Sequence, residues 1–134
     1  MKRLLFTLGL VTYFCALAAQ SSAGANIKFD FNTYDYDTIE KGSDGYCTFT
    51  FRNVGSEPLV ITSASSSCGC TTPEYSKKPV MPGKTGVVRV RYNTELVGSF
   101  RKTIVVKSNA ANAPIKVLKV KGYVREKKRA KRRV

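Results

Sequence analysis

Tyr46-Cys47-Thr48-Phe49-Thr50-Phe51-Arg52 is the stretch of sequence that decides the fold. Cys47, Phe49 and Phe51 fall on one side of an extended chain, and the residues between them fall on the other. Side chains of a β-strand point alternately to its two faces, so this pattern predicts a strand with one face in an apolar core. Cys47 is therefore expected to be a small buried hydrophobe of that core.

The same alternation recurs along the chain in short segments separated by turns. Further extended segments are predicted at 26–31, 32–39, 59–64, 87–92, 103–109 and 115–124. In the last segment the apolar phase shifts between Val117 and Leu118, which predicts a β-bulge. Residues 69–83 are expected to be a loop, because proline and glycine are frequent there. This pattern predicts an all-β protein, a single antiparallel β-sandwich of about seven strands.

Composition divides the chain into three parts. Residues 1–23 have a charged start, an apolar run and a small-residue cleavage site, which together are typical of a signal peptide. They predict a periplasmic or secreted protein with no stable transmembrane segment after cleavage. Residues 24–124 are then expected to form the β-sandwich domain, and residues 125–134 a basic, disordered tail.

The tail concentrates positive charge at the C-terminal end. It has a net charge of +6, out of +14 for the whole chain. Such an arm either keeps a protein soluble or contacts an anionic envelope surface. Aromatic residues that would stack on bases are absent from it, so no nucleic-acid partner is expected. Its basic residues are Arg125, Lys127, Lys128, Arg129, Lys131, Arg132 and Arg133.

A short cysteine segment is the candidate binding or structural motif. It consists of Cys68, Gly69, Cys70, Thr71, Thr72 and Pro73. Two thiols around a glycine allow a tight turn closed by a Cys68–Cys70 disulfide, in which Gly69 relaxes the backbone. They also allow a two-thiolate metal site or a redox pair, although the familiar redox spacing is Cys-x-x-Cys.

The chain contains no histidine, and this excludes several kinds of chemistry. Ser-His-Asp catalysis, Cys-His catalysis and histidine-ligated metal sites all need imidazole. We therefore expect no enzymatic activity, no catalytic residues and no cofactor. The remaining metal hypothesis is a Cu(I) or thiophilic metal site in which Cys47 joins Cys68 and Cys70.

These residues resemble a family of exported bacterial proteins that carry the domain of unknown function 1573, which is akin to the ASPM/SPD-2/hydin and PapD-like domains. The resemblance spans residues 27–124 and implies export and a single immunoglobulin-like antiparallel β-sandwich over residues 24–124, but the family has no established activity. The matching segments are Lys28-Phe29-Asp30, Tyr34-Asp35-Tyr36, Phe49-Thr50-Phe51-Arg52-Asn53, Pro58-Leu59-Val60-Ile61, Ser67-Cys68-Gly69-Cys70-Thr71-Thr72-Pro73, Pro82-Gly83-Lys84, Gly98-Ser99-Phe100-Arg101-Lys102 and Ser108-Asn109.

The chain departs from the family pattern at two positions. Tyr36-Asp37 stands where the family usually has Phe-Gly, which puts a glycine-dependent backbone there in question. Asp37-Thr38-Ile39 also resembles a bacterial O-glycosylation pattern with Thr38 as the acceptor. Cys47 lies outside the family pattern, so a three-cysteine site would be peculiar to this chain.

The function that follows is that of a non-catalytic exported binding or scaffolding module of the bacterial cell envelope. Its partner is expected to be an envelope protein, which the domain would dock through strand edges or loops. The alternative is the Cu(I) protein described above.

Overall fold

The computed structural model describes residues 23–129, and within that range the chain forms eight β-strands and no helix. The strands pack as two four-stranded sheets, β1-β3-β6-β5 and β2-β8-β7-β4. The predicted all-β sandwich is confirmed, with eight strands in place of about seven. The strands are β1 Ile27–Phe29, β2 Thr33–Glu40, β3 Tyr46–Asn53, β4 Ile61–Ser66, β5 Thr71–Tyr75, β6 Thr85–Tyr92, β7 Gly98–Ser108 and β8 Ile115–Arg125.

The core lies between the inner faces of the two sheets. Its β3 side is formed by Cys47, Phe49 and Phe51, all at most 5% exposed, as the alternation predicts. The predicted inward side chains of β6 are also buried. Burial of apolar surface is the main favourable term in folding, and the alternation of β3 and β6 directs it to one face. The other core residues that are fully buried are Leu59, Ile61, Val88, Val90, Ile104, Val106, Leu118, Val120 and Val124.

One strand pair departs from the antiparallel expectation. β2 runs parallel to β8, with Thr33 beside Lys119 and Glu40 beside Arg125. Strand alternation has the same period in both directions, so the sequence could place β2 in a sheet but could not give its direction.

The prediction of a loop over residues 69–83 is wrong for residues 71–75, which form β5. β5 lies at the edge of its sheet, paired only with β6, and Pro73 lies beside Val90. Proline lacks a backbone N–H, and an edge strand tolerates it because that group would face away from the neighbouring strand. Pro73 thus marks an edge of the sheet and not a break in it.

The β-bulge predicted in residues 115–124 is also wrong. The pairing of β7 with β8 continues without a shift from Gly98–Val124 to Lys107–Ile115. Ile115 and Val117 instead point outward and are 59% and 42% exposed. The apparent change of phase is therefore two apolar residues on the outer face of a regular strand.

This sheet has register shifts in its two edge strands, one in β4 between Ile61 and Ser63 and one in β2. Asp35 lies beside Lys121 and Thr38 beside Tyr123, so β2 has one residue more than β8 between the two pairs. Asp37 occupies the extra position with a left-handed φ of 53°. Its N–H donates a hydrogen bond of 2.9 Å to Asp35 Oδ1, and this bond is the main reason that the pKa of the Asp35 carboxyl is lowered. Left-handed backbone is uncommon for residues other than glycine, and aspartate is one of the residues that tolerate it.

We expect Asp37→Gly to raise the free energy of unfolding by about 0.5–1 kcal/mol, because glycine adopts a left-handed φ without steric cost. Thr38→Gly is the matched control, since Thr38 is the next residue of β2 and its φ is not positive. That control should lose stability, because glycine in an ordinary strand position costs conformational entropy. Urea denaturation of both variants checks the sign, and a destabilised Asp37→Gly would contradict this account of the bulge.

Candidate functional site

A disulfide between Cys68 and Cys70 closes the turn that joins β4 to β5, with a Cα–Cα distance of 5.4 Å. Cys68 N–H donates to Ser66 Oγ at 3.3 Å, and Thr71 N–H donates to Cys68 O at 3.4 Å. Cys70 N–H donates to Cys68 Sγ at 3.2 Å. The turn is therefore fixed by a covalent bond and by hydrogen bonds from both ends.

Gly69 lies in this turn without any strain that would require glycine. Its φ is not positive, and a Cβ placed on it would meet no atom within 4 Å. The role expected for Gly69, relaxing the backbone so that the ring can close, is therefore not visible as a left-handed conformation or a close approach.

The rest of the motif continues as the edge strand. Thr71 is buried beside Tyr92, and Thr72 is exposed beside Arg91. Cys70 O accepts a hydrogen bond from Asn93 N–H at 2.8 Å. The cysteine turn is thereby tied to the end of β6.

These contacts enclose a polar cavity of about 400 Å³, which we call the disulfide cleft. Three segments line it, each distant from the others in sequence. They are residues 42–46, residues 69, 70 and 72, and residues 91–95.

Hydrogen bonds connect the walls of the cleft to one another. Thr94 Oγ1 donates to Ser43 O at 2.7 Å, and Tyr92 N–H donates to Gly45 O at 2.8 Å. Gly45 O also accepts from the buried Tyr36 hydroxyl at 2.6 Å. Since these bonds involve backbone atoms of the walls, the cleft is formed before anything binds in it.

Charged residues lie in the lining of the cleft and beside it. Arg89 stacks over the Tyr46 ring with 3.8 Å from its guanidinium carbon to the ring centroid, and Arg91 lies 5.7 Å from the same centroid. Asp44 and Glu95 contribute carboxylates to the lining, and Arg91 contributes a guanidinium. Cation–π contacts of this kind hold long side chains in place. These three residues are not among the predicted site residues, although the alternation of residues 46–52 and 87–92 places Tyr46, Arg89 and Arg91 on outer faces.

Cys47 lies apart from the cleft, buried on the inner face of β3 as a free thiol. Burial raises the pKa of the Cys47 thiol, and a hydrogen bond with the Tyr36 hydroxyl partly opposes this shift. Burial likewise raises the pKa of Tyr36. No group of three His, Cys, Asp or Glu side chains able to hold a metal ion occurs in residues 23–129. The hypothesis that Cys47, Cys68 and Cys70 share a Cu(I) ion is therefore unsupported, because two of the sulfurs are bonded to each other and the third is in the core.

Other predicted positions lie away from the cleft. Thr38 is exposed on β2, where O-glycosylation remains a prediction. Arg125, assigned to the tail, is instead the last residue of β8 and forms a salt bridge of 2.8 Å with Glu40. Lys127, Lys128 and Arg129 are exposed and outside any strand.

The predicted signal peptide, except for Ala23, and the tail residues Lys131, Arg132 and Arg133 lie outside the described residues. In the part of the chain that is described, no helix has the length and apolarity needed to cross a membrane.

The two packed sheets define an immunoglobulin-like β-sandwich. The chain belongs to the family described as protein of unknown function (DUF1573), whose model matches residues 27–124, from β1 to the end of β8. The family resemblance drawn from the sequence is thus confirmed. No curated protein sequence matches the chain.

Solved structures show the same fold. A protein of unknown function from Porphyromonas gingivalis W83 matches with a TM-score of 0.68 at 20% identity, over 79% of this chain and 50% of that one. This chain therefore spans half the length of that protein. PapD-like domain 7 of human CEP192 matches with a TM-score of 0.64 at 10% identity, over 77% of this chain and 87% of that one.

A chain of the CsuC–CsuE chaperone–tip adhesion subunit pre-assembly complex, from the archaic chaperone–usher Csu pili of Acinetobacter baumannii, also matches. Its TM-score is 0.54 at 10% identity, over 77% of this chain and 58% of that one. At such identities the likeness concerns the fold alone.

Proposed function

We propose that the protein is a non-catalytic exported binding module of the bacterial cell envelope, and that it docks a segment of an envelope protein in the disulfide cleft. The single observation that carries this proposal is a cleft whose three walls are tied together by hydrogen bonds and by one disulfide. A preformed site loses little conformational entropy when it binds, so more of the contact energy appears as affinity.

The chemistry of the cleft suits a polar segment of polypeptide. Its lining includes the hydroxyls of Ser43 and Thr72 and the amide of Asn93, together with charged groups of both signs. Such groups can hydrogen-bond peptide N–H and C=O groups, which a partner would otherwise leave unpaired on losing water.

Two further observations support the proposal, one on the fold and one on the N-terminal residues. The Csu complex pairs a chaperone with a tip adhesion subunit, so this fold occurs in proteins that bind other proteins. Residues 1–23 have the pattern of a signal peptide, which would bring the domain to the envelope.

We expect a photo-crosslinking residue at position 72 to give discrete protein adducts in the envelope of the native cells. Thr72 is exposed, lies on an edge strand and lines the cleft. Ser65 is the matched control position, because it is exposed on the edge strand of the other sheet and lies outside the cleft lining. Added wild-type domain should compete for the adducts, and a Thr72→Trp domain, with the cleft mouth filled, should compete about tenfold less well.

Two outcomes would overturn docking in the cleft. One is an equal set of adducts from positions 65 and 72. The other is a set of adducts from position 72 that excess wild-type domain leaves unchanged. Absence of the protein from the envelope fraction would separately contradict export.

A further inference from the structure

The two sulfurs of the disulfide have different surroundings. Cys70 lines the disulfide cleft, whereas Cys68 does not. Cys68 Sγ instead accepts a hydrogen bond of 3.2 Å from Cys70 N–H. A molecule in the cleft therefore contacts residue Cys70 and not residue Cys68, and the Cys68 sulfur already has a hydrogen-bond donor.

We propose that Cys68–Cys70 is an exchangeable disulfide that oxidises a partner dithiol entering through the cleft, with attack on Cys70 Sγ. A partner thiolate forms a bond to Cys70 Sγ, the bond between the two cysteine sulfurs breaks, and its electron pair leaves on Cys68 Sγ. Hydrogen bonding stabilises a thiolate and so makes it a better leaving group, and Cys70 N–H supplies that bond.

A second exchange completes the reaction. The other thiol of the partner attacks the partner's own sulfur in the mixed disulfide, and Cys70 leaves as a thiolate. Thr71 Oγ1 lies 3.7 Å from Cys70 Sγ and can donate a hydrogen bond to that thiolate. The partner is oxidised to a disulfide, the Cys68–Cys70 pair is reduced by two electrons, and the two thiol protons of the partner end on Cys68 and Cys70 or in solvent.

The charges of the cleft select the thiol. Of the charged lining residues, Asp44 and Glu95 are acidic and Arg91 is basic, while Arg89 lies outside the lining, stacked on Tyr46. Like charges repel and opposite charges attract across a partly closed site, so a thiol flanked by a cation should enter more readily than one flanked by an anion. A basic residue beside a cysteine also increases its thiolate fraction. The expected partner is therefore a dithiol protein with Lys or Arg next to the attacking cysteine.

This inference does not depend on the docking of an envelope protein, because small thiols can test it. Cysteamine and 3-mercaptopropionate are suitable probes, since they are thiols of similar size with opposite charge. The oxidised full chain is incubated with each probe, quenched with acid and mapped by peptide mass spectrometry. Glutathione disulfide, reduced by the same probes in the same buffer, corrects for their different intrinsic reactivity.

We expect both probes to reduce the folded protein, with mixed disulfide found on Cys70. The corrected rate with cysteamine should exceed that with 3-mercaptopropionate by about three- to tenfold at low salt and should fall towards equality at high salt. Glu95→Gln should reduce this preference. Glu57→Gln, an exposed carboxylate outside the cleft lining, should leave it unchanged.

Three results would overturn the inference. The first is a disulfide that neither probe reduces until the protein is unfolded by denaturant, which would make it purely structural. The second is mixed disulfide found only on Cys68. The third is the same probe preference in wild type and Glu95→Gln, which would mean that the cleft does not control entry.

Discussion

Gly45→Ala is expected to lower the free energy of unfolding by about 3–4 kcal/mol, through overpacking and lost hydrogen bonds. A Cβ on Gly45 would overlap the backbone carbonyl oxygen of Tyr92 and approach Thr94 Cγ2 at 3.0 Å. Tyr92 belongs to β6 and cannot rotate its carbonyl away as a side chain would. Relief therefore requires Gly45 to move, which breaks the hydrogen bonds that Gly45 O accepts from Tyr92 N–H and from the Tyr36 hydroxyl.

Gly69→Ala is the matched control for this prediction. Both glycines line the disulfide cleft, but a Cβ on Gly69 would meet nothing within 4 Å. Its substitution should change stability by less than about 0.5 kcal/mol. Urea denaturation followed by circular dichroism measures both variants. Equal stability of the two would mean that the approach of Gly45 to β6 does not constrain this wall of the cleft.

The parts of the fold that follow from the sequence are those controlled by local pattern. β3 and β6 have strict alternation, and their inward residues are buried as that alternation requires. The sequence does not predict β5, because a proline such as Pro73 normally argues against a strand unless that strand lies at the edge of its sheet. Which strand lies at an edge depends on the whole sheet. The direction of β2 relative to β8 does not follow from the sequence either, because tertiary structure determines which strands pair.

The candidate site was foreseen only in part. The cysteine motif drew attention to Cys68 and Cys70, but the cleft beside them also needs residues 42–46 and 91–95. Those segments lie about twenty residues or more away in both directions, and only the sheet register brings them together. The local alternation of apolar and polar residues shows to which face of a strand a residue points. It does not show which residues distant in sequence lie on the same face.

Asn53 is a second case in which the sequence gives the face of a residue but not its contacts, and here the contacts affect stability. It continues the inward phase of Cys47, Phe49 and Phe51, so the pattern alone places a polar side chain in the core, where it is 0% exposed. Burying an amide is costly unless its hydrogen bonds are made. Here Asn53 Nδ2 donates to Glu57 O at 2.7 Å and to Val80 O at 2.8 Å. No sequence pattern indicates those partners.

The acceptor side of the Asn53 amide is satisfied as well. Asn53 Oδ1 accepts from Gly55 N–H at 3.0 Å and from Asn26 N–H at 3.4 Å. One side chain thus joins the segment before β1, the turn after β3 and the chain that leads into β6. A buried side chain that satisfies four backbone groups contributes to the relative placement of all three segments.

We expect Asn53→Ala to cost about 3–5 kcal/mol of unfolding free energy, because it leaves a cavity and removes four hydrogen bonds to backbone groups that are buried or partly buried. Asn109→Ala is the matched control: this exposed asparagine accepts from Val60 N–H at 2.7 Å and donates to Pro58 O at 3.0 Å. Water can replace its bonds, so that variant should lose only about 1 kcal/mol. Urea denaturation measures both variants. An Asn53→Ala protein that is already unfolded without denaturant would also agree with the prediction, because its loss of free energy would exceed the stability of the wild type. Equal losses for the two asparagines would mean that burial does not raise the cost of the missing bonds, and the role assigned to Asn53 would then be wrong.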